Sequence, residues 1–191
     1  MKTSTIDSLI TARTLYDEAT GLVASGDRHM CSAGLVMLQD ALEIVVLAIL
    51  VERGVDEQKA LESKGFDELL GELKIVGINV PKSGTLKALN KQRVITKHYG
   101  QLAEPATVQT YAEAAELAID SIVSQVLGKD FREILLTDLM DGGEAREFLT
   151  QAATLIDEEH FFDGLIAIRK AIFVEIEHEY AINKWANTDA N

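Results

Sequence analysis

The sequence predicts an all-α protein, and three observations predict it. Apolar residues recur at helical spacing through the long segments 5–25, 28–53 and 107–127. Only two prolines, Pro81 and Pro105, occur in 191 residues, which suits long uninterrupted helices. No stretch alternates apolar and polar residues as a half-buried strand would, and only the short apolar run 74–80 is ambiguous. At 47% apolar, the chain can also build a sizeable core.

The elements follow in order. In 5–25 the stripe is Ile6, Leu9, Ile10, Ala12, Leu15, Ala19, Leu22 and Val23, and Ser25-Gly26 ends it. Asp27 can cap the next helix, 28–53. There Leu35, Leu38, Leu42, Val45 and Ile49 step by three and four, with Val36, Val46, Leu47 and Leu50 widening the stripe. This should be the most buried helix, stopped by Gly54. A short helix is expected at 56–64 and another at 66–76. A loop through Pro81 leads into a helix ending at Gly100, with Ser83 or Thr85 as its cap. A long helix covers 107–127, closed by Gly128. Further helices are expected near 130–140, 144–157 and 161–184, before a polar tail beyond Trp185.

The division expected is a helical bundle over 1–128 and a C-terminal helical extension over 129–191. Residues 34–42, GLVMLQDAL, and 164–172, GLIAIRKAI, echo one another at an offset of 130. Either this is the common vocabulary of amphipathic helices, or the extension begins a second related unit.

A net charge of −13, from 18 Lys+Arg against 31 Asp+Glu, disfavours diffuse adhesion to nucleic acid or anionic membrane. The single cysteine, Cys31, cannot form an internal disulfide and reads as a small core residue. No signal-peptide run opens the chain, and the most apolar stretch, 41–51, is short for a bilayer span. The expectation is a cytoplasmic protein with no membrane partner.

Against that acidic background, residues 82–100 contain no acid at all. They read KSGTLKALNKQRVITKHYG and carry Lys82, Lys87, Lys91, Arg93, Lys97 and His98. Any phosphate contact must therefore be local. Arg93 and His98 are five residues apart, which on a helix turns their side chains roughly 140° from one another. One straight helix cannot easily aim both at one atom. Two copies meeting about a two-fold axis could, each supplying what the other lacks.

The pair is suited to phosphodiester chemistry. A guanidinium clamps phosphate and stabilises developing charge, and an imidazole exchanges a proton near neutral pH. In RNA the 2′-hydroxyl is an internal nucleophile, so no metal or other cofactor is required. Lys87 and Lys91 share the His98 side and could take neighbouring phosphates, with Lys97 adding local attraction. Tyr99 could pack across the helix end or stack on a base. The other reading of the same residues is a solvated helix face, with His98 at its own terminal carbonyls.

The stretch Leu89-Asn90-Lys91-Gln92-Arg93-Val94-Ile95-Thr96-Lys97-His98-Tyr99-Gly100 resembles the signature of the HEPN superfamily. Ala41-Leu42-Glu43, inside a long apolar helix, looks like the second helix of such domains. The resemblance covers about residues 5–128. It implies a compact bundle of four to five helices that dimerises. Many members are metal-independent ribonucleases of toxin–antitoxin, abortive-infection and CRISPR-linked defence systems; others are non-catalytic scaffolds. It also implies Arg93 and His98 as a catalytic pair assembled between protomers, with RNA and a cognate antitoxin or defence protein as partners. Active members often carry Asn, Asp or His directly after the arginine, where this chain has Val94. Two alternatives stay open: a non-catalytic dimerisation or interaction module, and a nucleotide-binding helical domain without ribonuclease activity.

Remaining motifs are weaker. Glu175-x-x-His178 has the spacing of two metal ligands on one helical face, but carboxylate-bridged di-metal bundles need that motif twice. No metal site is expected. His29 and His160 sit beside turns and read as capping or surface residues. Asp141-Gly142-Gly143-Glu144 lacks the lysine of a phosphate loop.

Overall fold

The computed structural model describes residues 1–140 and 142–177, and every regular element among them is helical. They divide into two units, Met1–Leu135 and Leu136–Asn191.

The first unit is built around one helix. α2 (Arg28–Glu52) buries thirteen of its residues, including Leu35, Leu38, Leu42, Val45 and Ile49 of the expected seam. α1 (Thr3–Ala24) packs antiparallel along it through Leu9, Ala12, Tyr16, Ala19 and Val23. α3 (Phe66–Ile75), α4 (Ser83–Tyr99) and α5 (Pro105–Leu127) also contact α2. Length and composition alone would let α2 cross a membrane, yet most of its apolar surface is inside this bundle. Asp27 caps it, accepting hydrogen bonds from the backbone N–H groups of His29 and Met30 at 2.9 Å. Cys31 is fully buried, its thiol 3.4 Å from the Val23 carbonyl.

Three local expectations need correction. Residues 56–64 form turns instead of a short helix. Lys59 and Lys64 converge on one carboxylate, Glu72, at 2.5 and 3.0 Å. Five residues apart on a helix they would diverge by about 140° and could not both reach it. These lysines hold the Glu72 carboxyl below its ordinary range, Lys59 contributing most. The segment 130–140 forms two 3₁₀ turns, Phe131–Glu133 and Leu136–Leu139. Phe131 is buried edge-on against Tyr16, and Arg13 takes the carbonyls of Arg132 and Ile134, which are then unavailable to a helix ladder. The start of α4 is the third case. Its capping position is Lys82, in left-handed geometry at φ 55°, with Ser83 and Thr85 already inside the helix.

The second unit contains a helical hairpin, α6 (Glu144–Asp157) and α7 (Phe161–Ile172), the latter continuing as a π turn over Phe173–Glu177. His160 occupies the position before α7 and lies 3.9 Å from Glu158. Glu175 falls in the π turn, whereas His178 and Trp185 lie outside the described residues.

The sequence echo has a packing counterpart. A Cβ on Gly34 of α2 would meet the Ala19 carbonyl of α1 at 2.9 Å. A Cβ on Gly164 of α7 would meet Ile156 of α6 at 2.9 Å and the Ala152 carbonyl at 3.5 Å. Each hairpin thus closes on a glycine at the equivalent place. Carrying Ala12, Ala19 and Leu22 forward by 133 gives Ala145, Ala152 and Leu155, a correspondence that needs only a connection three residues shorter.

Candidate functional site

α4 is held at both ends and in the middle. Before it, Gln125 of α5 brackets the backbone of Asn79, accepting from its N–H and donating to its carbonyl, each at 2.9 Å. In the helix itself Leu86 and Leu89 are completely buried and seat it on its neighbours. After it, Gly100 closes the helix at φ 66°, a left-handed position that favours glycine, and its N–H reaches the Thr96 carbonyl. The exit loop is then tied to α2: Ala103 N–H donates to Ser32 Oγ at 2.9 Å, and Arg28 pairs with Glu104 at 2.7 Å.

This anchoring decides where the cations point. Arg93 follows Leu86 and Leu89 by seven and four residues, so it continues the buried side of the helix. It turns towards α2, where Nη2 donates to Asp40 Oδ1 at 2.5 Å, and its side chain is only 18% exposed. Its Nε is buried without a hydrogen-bond partner among the described residues. Asp40 keeps 36% exposure, so the pair sits at the rim of the bundle.

His98 is on the opposite side, exposed in the last turn of α4. A single chain therefore does not bring Arg93 and His98 together. Lys91 and Lys97 are exposed as well. Lys87 instead leans to α3, 3.7 Å from Asp67. Both line a groove of about 340 Å³ with Lys74, Asn79 and Ser83. Tyr99 is 80% exposed and does not pack across the helix end, which leaves its ring open to solvent beside His98. Val94, on the helix between the two faces, is 40% exposed.

Asp40 is the residue that sequence reasoning missed. A signal was present: an arginine at the spacing of two buried leucines lies on an apolar face and requires an anion there. Locating that anion 53 residues away needs the α2–α4 pairing, which spacing does not encode.

A second groove of about 270 Å³ lies elsewhere on the first unit, between α1, α5 and the turn after it, lined by Tyr16, Glu113, Glu116 and Arg132. Burial, then the Glu116 charge, pushes the Tyr16 hydroxyl up to about 12. Its ring packs edge-on against Phe131. Among the described residues no set of three or more His, Cys, Asp or Glu side chains gathers as metal ligands.

The class defined by these observations is an all-helical protein with a tethered, acid-free cationic helix on an acidic bundle. No protein-family model, curated protein or solved structure matches the chain.

Proposed function

We propose that Met1–Leu135 is a HEPN-like bundle whose α4 cleaves RNA without metal, at a site shared by two protomers. The observation that carries this reading is the division of labour along α4. Its packed side fixes one guanidinium, Arg93, and its open side presents His98, Lys91 and Tyr99, while Lys97 is exposed one turn beyond Arg93.

The chemistry follows from those positions. Arg93 of one protomer holds the scissile phosphate through whichever guanidinium N–H groups Asp40 leaves available. His98 of the partner subunit removes the 2′-hydroxyl proton, and the resulting alkoxide attacks the adjacent phosphorus. The P–O5′ bond breaks and the leaving oxygen takes up a proton, giving a 2′,3′-cyclic phosphate and a 5′-hydroxyl end. Lys91 and Lys97 attract flanking phosphates, and Tyr99 offers a stacking surface for a base. A cytoplasmic defence or toxin–antitoxin role, with a cognate protein partner, belongs to the same proposal.

The test is cleavage of pooled cellular RNA in EDTA, wild type beside Arg93→Ala and His98→Ala. The expected result is cleavage by wild type with cyclic-phosphate ends, and a loss of at least a hundredfold in each variant with unchanged helicity. RNA that survives the wild type, or that both variants still cut, overturns the proposal.

One observation favours a second reading. Asp40 neutralises Arg93, and the exposed Val94 stands where a polar residue would assist catalysis. On that reading the bundle is a non-catalytic dimerisation module. It is the outcome favoured if purified dimer leaves every RNA intact.

A further inference from the structure

α7 is apolar on two sides. Gly164, Ala167 and Ala171 are buried against α6, the small residues that let two helices approach closely. The other side carries Phe161, Phe162, Leu165, Ile172, Phe173 and Ile176, between 40% and 77% exposed. At 100° per residue the four on α7 fall within about 100° of arc and form one face, and Phe173 and Ile176 follow in the π turn. Taking about 200 Å² for a whole side chain of this size, the six together present about 700 Å². A typical monomer's largest apolar patch is roughly 300–600 Å². A specific interface takes about 800 Å² from each partner.

The geometry points to a second copy of this chain as the occupant, the two α6–α7 hairpins packing face to face into a four-helix bundle. The area approaches that of one standard half-interface. The charges also permit self-association. Arg169 is the one charged residue of α7 that projects into the face, and it is already paired with Glu177 of its own protomer at 2.7 Å. Asp163 and Lys170 lie to the side of the face, Lys170 over the Phe148 ring. Each copy therefore brings Arg169 to the interface already neutralised within its own protomer.

A membrane fits less well. Interfacial helices flank their apolar side with lysine and arginine, whereas Asp157, Glu158 and Glu159 precede this helix and the whole chain carries −13. The first unit shows what such a face takes in this protein. The corresponding helix, α2, is covered by α1 on one side and by α4 and α5 on others. A second hairpin supplies to α7 the layer that α4 and α5 supply to α2. This interface is independent of any activity at α4.

The experiment is light scattering after size exclusion on the full chain, for wild type, Phe162→Asp and Leu165→Asp, with circular dichroism to verify helicity. Cysteine crosslinking accompanies it, because the one native cysteine is buried. Leu165→Cys is compared with Asp17→Cys, an exposed α1 position, under mild oxidation. The expected result is a twofold fall in mass for each aspartate variant at unchanged helicity, and a disulfide-linked dimer from Leu165→Cys alone. A monomeric wild type, a mass unmoved by both substitutions, or no crosslink at 165 overturns the inference. So does a monomer that binds phosphatidylcholine–phosphatidylglycerol vesicles through Leu165.

Discussion

Among the described residues two helices keep one side exposed, and they do so with opposite chemistry. α4 seats Leu86 and Leu89 inward and turns lysines, a histidine and a tyrosine outward. α7 seats glycine and alanines inward and turns phenylalanines, leucine and isoleucines outward. Water solvates the first face at no cost, so α4 can stand uncovered until an anionic ligand arrives. The second face costs about 25 cal/mol for each Å² left in water, so α7 requires a permanent cover. The two proposals follow this difference: a transient ligand for the polar side, a lasting interface for the apolar one.

The sharpest way to break this comparison is to remove what lies beneath each face. Leu89→Ala empties a fully buried site under the cationic helix and should destabilise the first unit by about 2–5 kcal/mol in urea unfolding. Leu165→Ala, at 63% exposure, should change intrinsic stability by less than about 0.5 kcal/mol while weakening self-association. Similar costs at both positions would mean that α7 is packed within its own protomer.

A smaller effect is expected at Asp40. Asp40→Ala leaves the Arg93 guanidinium partly buried without its anion, at about 1–2 kcal/mol. The solvent that reaches the pair keeps the loss below that of a fully buried one. Replacing both residues, as Asp40→Leu with Arg93→Leu, should recover most of it. A double-mutant cycle in urea gives the coupling, and a coupling near zero would mean that Asp40 does not fix Arg93.

The smallest effect on stability belongs to Lys91→Ala and Lys97→Ala, each within about 0.5 kcal/mol by thermal unfolding. Their effect should appear in ligand binding instead. Each should reduce the salt dependence of RNA affinity by roughly one counterion. An unchanged slope would mean that RNA does not contact α4 at that lysine.

Much of the fold was legible because burial repeats along the chain. The seam of α2 and the stripes of α1 and α5 are long enough for periodicity to decide, and Asp27 marks the start of α2 and Gly128 the end of α5. Segments 56–64 and 130–140 were not legible. Their geometry answers to distant groups, Glu72 for the first and Arg13 with Tyr16 for the second. The cationic stretch stood out by composition, and helical angles already separated Arg93 from His98. Which anion meets Arg93 depended on the α2–α4 pairing, and the exposure of Tyr99 on how the loop after α4 is tied to α2.

A shared site has a signature that no single variant can give. Arg93→Ala and His98→Ala chains, each inactive alone, are mixed under conditions that exchange subunits, and RNA cleavage is measured in EDTA. Half of the dimers formed then hold one intact Arg93–His98 pairing of two, so the mixture should recover about a quarter of wild-type activity. A mixture that stays inactive after verified exchange, beside an active wild type, would contradict the placement of the two groups on opposite protomers.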